Sequence, residues 1–371
     1  MKAKVILATI LILAASCVKN EVREVSIHGD GQILYNPAPL RSMTTKADDQ
    51  MPPFPTTSTF GSCAWYLPGD NKWDDHHAAA ETATVVPSLY IEPSVISYNE
   101  ASKVWRNEGK TYYWPMNGSL TFISWAPYDL GLGKDAGTTF RVTRENGFTI
   151  TGWTMENKPG YGIVVTTSEG GVTTDPKNVD ILLAQNKDCK KTADGKVVPR
   201  FSHLLCKVKV EARLAKEDVG EKVIKSVKLT NIYTKGDYVA GMWTNQSEPM
   251  DYVYPQASET SPSPTMTVTY KANTIIFPET MFLPQSLMKD TRPEKPKISI
   301  TLKDNKTTIE GYLNNDQLQS SLSVWNQGKS ITYVITIGNE TAEIDFTANV
   351  DGWSEYDGWI KDGISNIVPV Q

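Results

Sequence analysis

One cysteine near the start of the chain is set for covalent lipidation. Ala14-Ala15-Ser16-Cys17 follows Lys2, Lys4 and an apolar run from Val5 to Ala14. Small residues before the cysteine admit a signal peptidase, and the Cys17 sulfur is the nucleophile that forms a thioether to a diacylglyceryl group. The run is about ten residues long, whereas a spanning helix needs roughly 20, so residues 1–17 read as a removed signal segment rather than a permanent anchor. Two acyl chains of palmitate type, at about 0.8 kcal/mol per buried methylene, hold a protein stably to a membrane. The competing reading is an ordinary signal peptide with an incidental cysteine, because a Leu three places before Cys17 would make the stronger lipobox.

Two basic residues suggest a second kind of chemistry, hydrolysis by a trypsin-like protease. Arg41 stands in Leu40-Arg41-Ser42 and Lys46 in Thr45-Lys46-Ala47, within a Ser/Thr/Pro-rich stretch from Pro37 to Ser58. That composition predicts an exposed, mobile spacer. Two basic residues in such a window are what chance supplies, so their placement after an isolated strand carries the argument rather than their number.

Other reactive residue types lack productive spacing. Asp74-Asp75-His76-His77 is the most metal-like cluster, but adjacent side chains rarely converge on one ion and no further His or Cys sits at ligand spacing. It reads as a solvated loop, and no metal is expected. His203 opens a strand and reads as a structural histidine. No nucleophile elbow, P-loop or dinucleotide fingerprint occurs, no cofactor is expected, and the many Glu and Asp pairs have no located cleft that would make them a glycosidase acid and base. Besides Cys17 there are Cys63, Cys189 and Cys206, which imply no disulfide framework. A Cys189–Cys206 pair stays open, although Cys206, in an apolar strand, reads as a small core residue.

The elements that position these groups are strands. Period-2 runs with turn residues between them occupy Ser119 to Trp125, Gly162 to Thr167, Leu205 to Ala212, Val223 to Leu229, Met266 to Tyr270, Lys297 to Leu302 and Ser330 to Ile337. Helical character is confined to His76–Ala83. The reading is all-β, with two tandem β-sandwich domains, as a length of 371 residues allows. The hydrophilic segment Gln185 to Lys196 marks the seam, giving an N-terminal domain at 47–190 and a C-terminal domain at 191–371. With 40% apolar residues, 21% charged residues and a net charge of -5, the chain has an ordinary globular composition and no electrostatic footprint for nucleic acid.

Between the lipid site and the spacer lies one amphipathic element within 18–46. Val25, Ile27, Gly29, Gly31, Ile33 and Tyr35 share one face, and Ser26, His28, Asp30, Gln32 and Leu34 the other. Gly29-Asp30-Gly31 is either a hairpin turn or a pair of shallow points on one long strand packed closely over a neighbour. Either way a single strand is joined to the body by a cleavable loop.

Several segments, in this order, resemble the fimbrillin family of Bacteroidetes, the lipoprotein precursors of type V pili. They are Tyr112-Tyr113-Trp114-Pro115 with Gly118-Ser119-Leu120-Thr121-Phe122 and Ala126-Pro127-Tyr128; Asp180-Ile181-Leu182-Leu183-Ala184; Phe201-Ser202-His203-Leu204-Leu205-Cys206-Lys207-Val208; Phe282-Leu283-Pro284-Gln285; Gly328-Lys329-Ser330-Ile331-Thr332-Tyr333; and Val350-Asp351-Gly352-Trp353. The resemblance implies transthyretin-like sandwiches, no catalysis, and outer-membrane export through Cys17. It further implies cleavage in the loop after the first strand by a surface trypsin-like protease, release of Val25 to Tyr35, and polymerisation with other pilin subunits, identical or paralogous, by donor-strand exchange into a cell-surface fimbrium serving adhesion. The family's cleavage motif matches Thr45-Lys46-Ala47, with cutting between Lys46 and Ala47; an Arg-specific enzyme would instead cut between Arg41 and Ser42.

The expected donor is the tail within about 354–371, where Ile364, Val368 and Val370 share a face with Asn366. Pro369 suits an edge or terminal strand. The competing reading pairs this tail within its own domain, as in a tip or anchor subunit. The 10 Trp and 16 Tyr raise a further alternative, a surface glycan-binding lipoprotein or an adhesive tip pilin with a host or bacterial glycan or protein ligand, since exposed aromatics stack on sugar rings.

Overall fold

The computed structural model describes residues 31–39, 53–128, 138–157, 159, 163–168, 171–176, 179–217, 220–255, 266–270, 272–304, 306–314, 322–338 and 344–353. Among these the regular structure is almost entirely β-strand, as the alternating pattern predicts, with one four-residue helix at Trp73–His76. The helix lies earlier than the Ala-rich stretch suggests. Trp73 buries its indole and so fixes that turn, while Ala80 and Ala83 are exposed and have no face to bury.

The largest sheet has eight strands in the order Lys196–Val197, Leu34–Tyr35, Val104–Asn107, Ser88–Asn99, Phe60–Leu67, Ser119–Ala126, Leu182–Cys189 and Ser202–His203. It curls strongly, because Tyr35 in its second strand meets Phe122 in its sixth, with ring centroids 6.1 Å apart. Asn186, from the seventh strand, reaches the Val198 carbonyl at 2.9 Å beside the first. The central strands are buried on both faces. In Ser119–Ala126, Leu120 and Phe122 enter one core and Ile123 and Trp125 the other.

A seven-stranded sheet joins the two halves of the chain. Its axis is the 18-residue strand Lys222–Val239, which pairs with Gly147–Thr154 from the N-terminal half and with Lys297–Leu302 from the C-terminal half. Thr139–Thr143 and Gly147–Thr154 cover one face of the large sheet through Phe148, Ile150 and Trp153. The other end packs on a four-stranded sheet of Thr274–Phe282, Cys206–Leu214, Lys329–Ile337 and Ile344–Gly352, enclosing the second main core. Only Val223 to Leu229 of the long strand is visible as alternation. The register shifts between Leu229 and Ile232, where Asn231 takes φ 60, and this bulge breaks the period of 2.

Hydrogen bonding of the large sheet runs past the seam expected near residue 190. Gln185 to Cys189 continue a strand, and Lys196–Val197 and Ser202–His203 add to the same sheet. Cys63, Cys189 and Cys206 are all free, so the Cys189–Cys206 pair left open by the sequence is not formed. Cys206 is fully buried in the second core, whereas Cys189 packs against the first.

Candidate functional site

The first described residues form a strand held on both sides. On one side Ile33 donates its N–H to the Tyr112 carbonyl at 2.8 Å, Trp114 donates to the Gly31 carbonyl at 2.7 Å, and Tyr35 pairs with Trp105. On the other side Leu34, Asn36 and Ala38 donate to the carbonyls of Gly195, Val197 and Pro199 at 3.3, 2.8 and 2.9 Å. The strand is antiparallel to its first neighbour and parallel to its second.

Alternation then decides what the strand buries. Ile33 is 1% exposed and Tyr35 2%, and both belong to the first core. Tyr35 stands edge-on to Phe60 and Phe122 at 5.7 and 6.1 Å. Leu34 is half-buried and Asn36 exposed. Pro37 and Ala38 are buried beyond it. Burial raises the Tyr35 phenol above its ordinary range. Its hydroxyl makes no hydrogen bond of ordinary geometry; the neighbouring Ser62 hydroxyl is bonded with Ser124 at 2.9 Å, and its attraction for the phenol offsets only part of the effect of burial.

The walls of this slot are set by turn chemistry. Gly195 takes φ 66, and a Cβ there would lie 3.1 Å from the Gln32 carbonyl. Its own carbonyl accepts from both Leu34 and the Trp114 indole. Asp194 shapes the turn through Thr192, at 2.8 Å, and the Lys196 N–H, and these bonds hold its carboxyl below the usual range.

The far end of the spacer is also fixed, contrary to the expectation of a wholly exposed segment. Phe54 is buried, stacked on Phe201 at 5.4 Å and edge-on to Phe60 and Trp105. A lone aromatic within Pro52-Pro53-Phe54-Pro55 was the available signal. The pairing strand around Lys196–Val197 had none, since it is two residues long and polar on one side.

Of the sequence-predicted positions, Gly31, Ile33 and Tyr35 come together in this slot. Cys17, Val25, Ile27, Gly29, Arg41, Ser42, Lys46, Ala47, Ile364, Val368 and Val370 lie outside the described residues. Elsewhere, Asp74 pairs with Lys187 at 2.6 Å, and this bond holds its carboxyl below the usual range. His77 stacks on Trp73. His203 is buried with Nδ1 bonded to Asp180. Trp65, Trp73, Trp105, Trp114, Trp125, Trp153, Trp325 and Trp353 are all buried, and Trp243 half-buried, so the described tryptophans build cores rather than an exposed stacking platform.

One solved structure shares this fold, and two others match it more loosely. A fimbrial protein from Bacteroides vulgatus superposes with a TM-score of 0.52 at 18% identity, covering 79% of this chain and 92% of its own. A cell adhesion protein from Bacteroides uniformis matches at 16% identity and a TM-score of 0.43, covering 87% and 100%. The tip fimbrial protein Mfa3 from Porphyromonas gingivalis, with a C-terminal truncation, matches at 9% identity and a TM-score of 0.39, covering 87% and 99%. No curated protein matches the chain in sequence. Residues 72–353 fit the family model described as fimbrillin-like, and the chain belongs to that family.

Proposed function

We propose that this chain is a structural pilus subunit. It is exported as an outer-membrane lipoprotein through Cys17, matured by a trypsin-like protease after Lys46 or Arg41, and polymerised by donor-strand exchange into an adhesive cell-surface fimbrium. The observation that carries this reading is the burial of Ile33 and Tyr35 in a two-sided slot, on a strand joined to the body through the segment that holds both basic sites.

Energetics favour a plug that works only while attached. Each large apolar side chain seated in the slot contributes about 1.5–3 kcal/mol, and the backbone ladder adds to this. An emptied slot leaves unpaired backbone on both flanks, a template for another strand. While the resident strand is tethered it competes at an effective concentration of order mM. Cutting the spacer removes that advantage, and the strand and its lipid can leave together.

The test is N-terminal sequencing of protein sheared from cells. Ala47 as first residue supports cleavage after Lys46, and Ser42 moves the cut to Arg41. A blocked, lipidated Cys17 on the sheared protein would overturn the maturation scheme.

A further inference from the structure

The slot imposes a pattern on whatever strand fills it. Positions 34, 36 and 38 must donate N–H groups to the carbonyls of Gly195, Val197 and Pro199. A proline at any of them would orphan a buried acceptor. Position 37 carries no such demand, and the resident residue there is Pro37. At the mouth, Gly31 takes φ 106 while its carbonyl accepts from Trp114, and L side chains are strained at that angle. Between them, position 35 opens on Phe60 and Phe122. The resident strand therefore reads Gly, five residues, Pro, with a large apolar side chain fifth in the run, and position 37 is the place in it where a proline costs no hydrogen bond to the slot.

Gly363-Ile364-Ser365-Asn366-Ile367-Val368-Pro369 has the same pattern. Gly109–Pro115 and Gly170–Pro176 share the spacing. The first already lines the slot through Tyr112 and Trp114; in the second, Gly171–Pro176 pairs with Ile163–Ser168, and Thr174 stands fifth.

Resting on the strand-exchange reading, we infer that the slot takes Gly363–Gln371 of a second copy in one register. Gly363 lies at the Gly31 position, Ile367 at Tyr35 and Pro369 at Pro37. Ile367 then fills the aromatic pit without the buried, unpartnered hydroxyl that Tyr35 carries, so the incoming strand is favoured over the resident one at that point. Ser365 at the Ile33 position offsets part of this gain. Asn366 and Val368 take the places of half-buried Leu34 and exposed Asn36.

Other registers fit worse. Setting Ile364, Val368 and Val370 inward, the more apolar face, buries Asn366 and puts Pro369 where an N–H must be donated. Sliding by two residues toward the mouth places Ser365 at the strained Gly31 position and Pro369 in the pit.

The experiment uses full-length precursor carrying single tail substitutions, each confirmed as a folded monomer by circular dichroism, then treated with limiting trypsin and run unboiled on denaturing gels. Ile367→Asp is expected to reduce the ladder about tenfold or more, since it would bury a carboxylate, whereas Val368→Asp leaves the ladder at wild-type intensity. Any other pattern from this pair overturns the register. Deletion of Gly363 to Gln371 separates the two levels. A ladder that survives the deletion, or a wild-type chain that never ladders, overturns strand exchange itself.

Discussion

The imidazole of His203 lies flat on the indole of Trp353, with ring centroids 3.7 Å apart and planes 6° from parallel. His203 ends the pairing of the eight-stranded sheet, and Trp353 directly follows Ile344–Gly352 of the four-stranded sheet. Their contact therefore fastens one half of the chain to the other. Asp180 holds the ring from the side, with both carboxylate oxygens 2.9 Å from Nδ1. Lys207 lies 5.0 Å from the indole centre and 3.1 Å from Glu279. Backbone bonds complete the joint, from Trp353 to the Gly328 carbonyl at 3.0 Å and from Gly328 to the Leu205 carbonyl at 2.8 Å.

Trp353→Ala is expected to destabilise the fold by about 3–5 kcal/mol, the usual cost of emptying a large aromatic site. The indole is 3% exposed and touches both a ring and an ammonium, so no neighbour can readily close the gap. Trp353→Phe keeps a stacking surface and should recover more than half of the loss. Urea denaturation followed by far-UV circular dichroism checks both. An alanine variant as stable as wild type would show that the joint contributes nothing.

Tyr35→Phe should stabilise the precursor by about 1 kcal/mol, because it removes a buried hydroxyl without a partner and keeps the ring against Phe60 and Phe122. The expected readouts are a higher Tm and slower ladder formation after trypsin, since the resident strand then leaves less readily. A lower Tm would mean that the hydroxyl has a compensating partner.

The cysteines give a pH-dependent prediction. Burial pushes the Cys189 thiol up to about 11, and the fully buried Cys63 and Cys206 thiols higher still. At pH 8 only about one Cys189 in a thousand is thiolate, the reactive form. In a chain lacking Cys17, alkylation of the folded protein should be slow at pH 8 and rise about tenfold per pH unit toward the Cys189 value. Cys63 and Cys206 should react only on unfolding. Three thiols should titrate in denaturant without reductant, and a count of one would reveal a disulfide.

Much of this architecture was legible because alternation marks where strands form and, on a strand with one buried face, which side chains enter the core. Lys297–Leu302 appears as the period predicts, and the inward face of Gly31, Ile33 and Tyr35 is buried at Ile33 and Tyr35. Legibility failed where pairing depends on distant partners. The two-residue strand Lys196–Val197 has no period of its own and exists because Leu34, Asn36 and Ala38 need acceptors. The extension of Lys222–Val239 hides behind the Asn231 bulge. The His203–Trp353 stack joins residues 150 positions apart, and nothing local in either segment announces the other.

Gly61→Ala tests how tightly the central sheet is packed. Gly61 pairs directly with Trp125, and a Cβ at residue 61 would collide with the ring carbons of that indole. The indole cannot give way easily. Its Nε1 donates to the Tyr128 carbonyl at 3.0 Å, and Tyr128, Phe140 and Phe148 lie 6.3, 5.9 and 6.1 Å from its ring. The substitution adds one methyl to a site with no room, so destabilisation of about 1–3 kcal/mol is expected. Trp125→Phe alone should also destabilise by emptying part of the same space. Combined, the two changes relieve each other, and the double variant should be more stable than the sum of the single losses predicts by at least about 0.5 kcal/mol, the scale of coupling between residues in contact. Additive losses in urea unfolding would show that the strand moves away from Trp125 rather than pressing against it.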